Sequence, residues 1–361
     1  MSSKIRVGLV GLGFGINYLN VYLRHPDVEY VGLCDISEKR LQEVGQKHGI
    51  SRFYRYLHEM IASHEFDAIH LMTQIPDHAA QTVQVLDAGL HCACALPMGV
   101  SLDELAAIAA SVKRNHRRYM LMEPNAYLPI TLYLRALYRN GEMGRIQFMR
   151  GIQTYFLNNH TVPYWRGMPP MHYISHALAP LLAITGARVT AVQCKGSGWM
   201  REDLKRVHGN PFPIEVALLE LDLPGVTAEI EILFFETAVR PVEGFEVFGE
   251  KLTFRWPNTL MRLVNPLGYF SQEVVEEQVD ATRILESLSL PEPVKTLCQK
   301  SPLQFCGLVH EFVRSIVEDR EPEFGTARSF DINAPGIYAH ESAMNNGKRI
   351  EVPICPGVGA G

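Results

Sequence analysis

The chain has 361 residues, more than one hydrophobic core usually serves, so two domains are expected. It is 47% apolar and 20% charged, an ordinary composition for a soluble globular protein. A net charge of −5 gives no electrostatic case for nucleic acid or an anionic membrane as partner.

The N-terminus runs directly into Val7-Gly-Leu-Val-Gly-Leu-Gly13, too short and too glycine-rich for a signal peptide. No apolar stretch is long enough to span a bilayer. Residues 4–10 read as a buried parallel strand ending at Gly11, followed by a helix over 15–24. Strands at 28–34, 68–72, 91–95 and 119–122 alternate with helices at 37–48, 77–89 and 101–115. Ser37 is a plausible N-cap, and Ser101-Leu-Asp-Glu104 is a capping pattern. Such alternation predicts an α/β fold: a doubly wound parallel sheet, the Rossmann arrangement, over residues 1–123.

The pattern then changes. After a helix at 129–140 come runs of period two at 145–157, 187–196, 214–223, 226–236 and 243–256. They predict a large open antiparallel sheet in a C-terminal α+β domain over 124–361, with excursions at 199–213 and 266–300. Segment 171–185 reads as a helix, as do 302–318 and 333–346 in the tail, which is free to pack back on the first domain. The seven cysteines are scattered, and only Cys92 and Cys94 stand close. We read those two as small buried hydrophobes rather than a metal or redox pair, in keeping with a reducing cytoplasm.

Gly11-Leu-Gly13-Phe14-Gly15 follows a strand and opens a helix. Glycines there allow a tight turn and close approach of a pyrophosphate to the helix N-terminus. The usual third small residue is Ile16, so Gly15 takes that role in a turn one residue shorter. Asp35, ending the next strand, suits hydrogen bonds from adenosine ribose hydroxyls and repels a 2′-phosphate. NAD is therefore the expected cofactor, with NADP use left open by Lys39 and Arg40.

His172 and His176 lie four apart and would share one helix face. Pro180 would push on the carbonyl of His176, so the helix should kink there or begin anew. The pair reads as structural histidines, or as acid–base groups whose ordinary pKa of about 6.5 suits removal of a hydroxyl proton. No third ligand stands out, so no metal site is expected. Tyr127 and Tyr155 each offer a phenol for proton relay or hydroxyl binding, and one of the two is expected to function. Glu123 sits where ligands bind doubly wound sheets, as a base or a cap. Arg166 suits a substrate oxygen or a surface ion pair, and Trp165 offers a flat face to a sugar ring.

In this order, several segments resemble the family of glucose–fructose oxidoreductase, inositol dehydrogenase and MocA. They are Gly11–Gly15, His25-Pro-Asp-Val-Glu29 with Cys34-Asp35, Thr73 through His78, Asp87-Ala-Gly-Leu-His91 with Pro97, Gly141-Glu-Met-Gly144 and Glu311-Phe-Val-Arg-Ser-Ile316. The resemblance implies a Rossmann domain and an open-faced sheet domain, with the active site between them. It implies cofactor contacts from Gly11, Gly13, Phe14, Gly15, Asp35, Thr73, His78 and Pro97. It also implies oligomer contacts on the outer sheet face, hence a homodimer or homotetramer.

Dehydrogenases of the family carry a Lys before the Pro, then an Asp and a His on a helix. Here those positions are Leu96, His172 and His176. The variant resembles the family's NAD-dependent glycosidases, which also lack the Lys and carry motifs like Met122-Glu-Pro-Asn-Ala-Tyr127, Trp165-Arg166 and Tyr173-Ile-Ser-His-Ala-Leu-Ala-Pro180. Ala95 and Pro124 depart from that branch.

The reading is an NAD-dependent oxidoreductase acting on a sugar, polyol or glycoside hydroxyl. Its expected catalytic residues are His176, His172 and Tyr127; its expected substrate contacts are Glu123, Asn125, Tyr155, Trp165 and Arg166. The alternatives are a glycosidase or lyase working through transient oxidation at C3 and elimination, and a non-catalytic cofactor-binding protein.

Overall fold

The structure is a computed structural model that describes residues 4–256, 261–266, 272–277, 284, 286 and 288–356. It divides into two compact units. The first takes the described residues within Met1–Pro124, Leu285–Phe330 and Ile354–Gly361; the second takes those within Asn125–Ile284 and Asp331–Pro353.

The first unit is built on six strands: β1 Ile5–Val10, β2 Val28–Cys34, β3 Phe53–Tyr54, β4 Ala68–Leu71, β5 His91–Cys94 and β6 Tyr119–Leu121. Their order is β3-β2-β1-β4-β5-β6 and every pairing is parallel, as expected of a doubly wound sheet. β1 and β4 are apolar almost throughout because helices cover both faces of a parallel sheet. The helices are α1 Leu12–Arg24, α2 Glu38–His48, α3 Leu57–Ala62, α4 His78–Asp87 and α5 Leu102–Asn115. The hydroxyl of Ser37 accepts from the backbone N–H of Arg40, and that of Ser101 from the N–H of Glu104. Both expected caps are thus in place.

α1 begins three residues earlier than its periodicity predicts, because Gly11 turns the chain at φ +87° directly off β1. Cys92 and Cys94 are buried in β5, and burial pushes both thiols up. Cys298 and Cys306, far less suggestive in sequence, form a disulfide between helices Glu292–Cys298 and Leu303–Val317. Phe305 in the second of these helices packs edge-on against Phe14 and Tyr18 of α1.

The second unit carries α6 Pro129–Arg139, α7 Ser175–Thr185 and α8 Glu202–His208. Its strands are β7 Ile146–Thr154, β8 Val189–Ser197, β9 Ile214–Leu221, β10 Thr227–Leu233, β11 Val242–Gly249, β12 Thr253–Phe254, β13 Met261–Pro266, β14 Gln272–Glu277 and β15 Ile350–Glu351. They form one sheet in the order β14-β13-β12-β11-β7-β10-β9-β8-β15.

The sheet is mixed rather than wholly antiparallel. β10 runs parallel to β7, with Thr227 opposite Phe148. The long connection through α7 makes this possible, since parallel neighbours need a crossover while hairpins do not. The expected single strand over 243–256 is broken at Gly249 into β11 and β12. The expected excursion at 199–213 carries α8. β14 adds to the sheet from within the expected excursion 266–300, of which 267–271, 278–283, 285 and 287 lie outside the described residues. Among the described residues, no helix is long and apolar enough to cross a membrane.

α7 also differs from expectation. It is one continuous helix that contains Pro180 and starts only at Ser175. It lies close against β7, where a Cβ on Gly151 would stand 2.3 Å from the carbonyl oxygen of Ala177. Gly151→Val should therefore lift α7 off the sheet. We expect a loss of about 1–3 kcal/mol, the usual cost of overpacking, read as a lower thermal midpoint.

Candidate active site

In the first unit the glycine-rich turn has the shape a dinucleotide needs. At Gly11 a side chain would collide with the Met72 carbonyl at 2.3 Å, and its φ of +87° independently favours glycine. At Gly13 a Cβ would meet nothing within 4 Å, so the first turn of α1 opens onto free space. Helix N-termini hold backbone N–H groups without helical acceptors and a partial positive charge. These residues fit a pyrophosphate, and any larger residue at Gly13 would fill the cradle. Phe14 is 55% exposed at the same turn.

Asp35 is buried beside this turn and faces inward. Its carboxylate accepts from the backbone N–H of Leu12 and of Ser37, each at 2.8 Å, and pairs with Arg40 at 3.1 Å. It therefore ties the N-terminus of α1 to the end of β2. His78 is also buried. Its Nδ1 faces the Pro97 carbonyl at 2.9 Å and its Nε2 the Thr73 carbonyl at 3.2 Å. Burial holds its pKa below the ordinary range against the pull of those carbonyls. Thr73 in turn donates to the side chain of Gln81 at 2.7 Å. Leu96 is buried with Pro97 in the adjoining loop, and Glu123 is buried just beyond β6.

In the second unit the structure gathers side chains from four elements. Glu243 opens the core face of β11, in phase with buried Phe245 and Val247. One of its oxygens, Oε1, accepts from the Tyr155 hydroxyl and stands 3.9 Å from Nε2 of His176. The other, Oε2, accepts from the side-chain amide of Asn125 at 2.8 Å. The same amide donates to the His176 carbonyl at 3.2 Å. That carbonyl is the one to which Pro180, four residues on, has no N–H to offer. Burial pushes the Glu243 carboxyl up, but the charge of His176 and the bonds from Tyr155 and Asn125 outweigh it and hold the group below its usual range.

An aromatic wall adjoins this cluster. Tyr173 stands edge-on to both His176, at 5.3 Å, and Trp165, at 4.9 Å. Phe234 stacks on Tyr155. Gln153, opposite Glu243 in the β7–β11 register, is fully buried, and its amide has no hydrogen-bond partner among the described residues.

Two expected members lie apart from this cluster in their contacts. His172 does not share a helix with His176: it sits in the 3-10 turn Pro170–Tyr173 that precedes α7. Its ring meets His340, which is bonded to buried Glu215 at 2.6 Å. Arg166 is half-exposed and paired with Asp203 at 3.1 Å, the surface ion pair of the two readings above. Tyr127 is buried in the turn Pro124–Tyr127, and it is Tyr155 whose hydroxyl reaches the Glu243 carboxylate. Glu243 itself went unnoticed in sequence. Its signal is a carboxylate in phase with the apolar positions of a strand. A cavity of about 420 Å³ elsewhere in the first unit is lined by Asp27, Glu311, Arg314, Glu318 and Arg320, whose charges are paired among themselves.

Residues 5–123 match the family model described as oxidoreductase family, NAD-binding Rossmann fold. Over those residues the chain is similar to the family of glucose–fructose oxidoreductase, inositol dehydrogenase and MocA. It is 28% identical over 142 residues to a D-apiose dehydrogenase of Paraburkholderia graminis, covering 39% of this chain and 38% of that protein. It is 23% identical over 194 residues to a glycosyl hydrolase family 109 protein of Porphyromonas gingivalis, covering 49% of this chain and 42% of that one. The chain thus spans well under half the length of these two curated relatives. The solved myo-inositol 2-dehydrogenase from Lactobacillus plantarum shares the fold, with a TM-score of 0.73 at 20% identity over 97% of this chain and 100% of that one.

The buried histidines generate a stability prediction. Burial, reinforced by His340 and His208, holds His172 down to about 3. The unfolded chain takes up this proton near pH 6.5, whereas the folded chain does so only near 3. The contribution is therefore complete above pH 6.5 and shrinks as pH falls toward 3. His172→Gln should lose roughly 2 kcal/mol less than the parent between pH 7 and 5, as measured by urea unfolding at the two values.

Proposed function

We propose that the chain is an NAD-dependent oxidoreductase acting on a hydroxyl of a sugar, polyol or glycoside. The observation that carries this reading is the pairing of His176 with Glu243, Tyr155 and Asn125 beside an aromatic wall, in a chain whose residues 5–123 match an NAD-binding family. Bound NAD would supply the hydride acceptor. The chain's own part is to place the substrate and move its proton. His176 takes the hydroxyl proton, a task for which imidazole is well matched near neutral pH. Trp165 and Tyr173 offer faces to a sugar ring, whose C–H bonds pack on aromatics while its hydroxyls need polar partners. Tyr155 and Asn125 supply such partners.

The Gly11–Gly15 turn would hold the pyrophosphate, and Thr73, His78 and Pro97 would shape the adjoining loops. NAD is favoured over NADP, because Asp35 is negative beside the turn and the nearest cation, Arg40, is committed to it. Self-association as a homodimer or homotetramer through the half-exposed sheet face bearing Phe148, Ile152 and Leu218 belongs to the same reading.

A second reading, glycoside cleavage that begins with the same oxidation, draws on the similarity to a glycosyl hydrolase family 109 protein and on a Glu243–Tyr155 pair able to accept a further proton. One assay separates them: NAD and a panel of polyols, sugars and aryl glycosides, followed by absorbance of reduced cofactor and by aglycone release. Net reduction without aglycone is the expected result. Catalytic aglycone release without net reduction would favour the second reading. Neither signal, despite NAD binding, would overturn both. We further expect His176→Asn to reduce turnover by about 100-fold or more with NAD affinity retained, and Gly13→Leu to weaken NAD binding by about tenfold or more, both read by fluorescence titration and initial rates.

A further inference from the structure

Two polar side chains, one fully buried and one partly exposed, stand side by side on the core face of the second sheet. Gln153 on β7 and Glu243 on β11 are paired in register, and both are in phase with positions that pack inward. Polar groups on such a face destabilise the fold unless they are matched, and they persist where they do chemistry. Glu243 is matched, but by side chains rather than by backbone: the Tyr155 phenol, the Asn125 amide and, at ion-pair distance, the His176 imidazole.

We propose that Glu243 is the positioning residue of His176, a strand-borne carboxylate that steadies the imidazolium formed when His176 accepts a substrate proton. This rests on the reading of His176 as the acid–base group.

The geometry fits that role in three ways. At 3.9 Å the carboxylate and Nε2 are an ion pair rather than a tight hydrogen bond, so the carboxylate acts on the ring through its charge. The carboxylate cannot swing away, because Oε1 is bound by Tyr155 and Oε2 by Asn125. The His176 backbone is held to the same Asn125 amide, so base and carboxylate share one anchor. The side chain of Glu243 is 31% exposed, which leaves its charge only partly screened. The titratable groups with described contacts to the pair include Tyr155, just after β7, and Tyr173, from the turn before α7; Asn125 and Gln153 are neutral. No second cationic side chain has a described contact with this carboxylate to compete for it.

The test is an imidazole NMR titration of His176 in the full chain, assigned by loss of its signal in His176→Asn. Removing the charge with Glu243→Gln should lower the His176 pKa by about one unit or more, since a nearby carboxylate favours the protonated ring. Glu243→Asp, which keeps the charge but withdraws it, should fall between the two. In kcat/KM profiles the limb that rises with pH should move to lower pH in Glu243→Gln, with a plateau reduced by about tenfold or more, while NAD affinity stays unchanged. A His176 pKa that is the same in all three proteins would overturn the proposal. Should Glu243→Gln not fold, Glu243→Asp with Tyr155→Phe carries the same test, as weakening either the charge or its anchor must move the titration. Full activity in His176→Asn would instead sink the acid–base reading itself, a result the titration does not depend on.

Discussion

The second unit is organised around a hydrogen that α7 lacks. Pro180 has no N–H, so the carbonyl of His176, one turn before it, loses its helical donor. A buried carbonyl without a donor is costly, and Asn125 supplies one from the turn that follows β6. An amide nitrogen has two hydrogens, and the second goes to Glu243. The strand residue, the helix residue and the turn are thereby fixed by one small group. Gly151 completes the arrangement from below, because only a bare α-carbon lets α7 lie this close to β7. Both features look like defects locally, a proline inside a helix and a glycine inside a strand. Together they set the height and the rotation of the helix that presents His176.

Much of the first unit was legible from the chain. Continuous apolar runs separated by capped helices have few folded solutions, and the sheet is parallel as expected, with short β3 and α3 added to the elements read from the chain. Ser37 and Ser101 cap the helices they precede because capping is a local matter, decided within four residues. The parallel pairing of β10 with β7 was not legible. Periodicity tells which face of a strand is buried, but not which neighbour it takes after a long crossover.

The site was legible only in part, for a related reason. The spacing of His172 and His176 suggested a shared helix face, with His176 one turn before Pro180. The backbone around Pro169 and Pro170 instead forms a 3-10 turn, where four residues no longer return to one side, so His172 turns to His340. Glu243 lies 67 residues beyond His176, in a strand that also carries Glu246 on its opposite face. Nothing local marks it except its phase with Phe245 and Val247. The Cys298–Cys306 disulfide was overlooked in the same way, since two thiols eight residues apart carry no signal until both helices are placed.

Two carboxylates, buried Asp35 and partly exposed Glu243, show how partners decide what a charge can do. Asp35 is held by two backbone N–H groups and one arginine. These donors hold that carboxylate in one geometry, and it shapes a turn. Glu243 is held by a phenol and an amide and faces the imidazole of His176, a group able to take up a proton. Its environment therefore alters whenever His176 gains or loses a proton. A carboxylate held by backbone donors stabilises one geometry, while one that faces a titratable ring couples that geometry to proton transfer. On this argument the chain keeps its structural charge in the cofactor-binding unit and its responsive charge beneath the helix that bears His176.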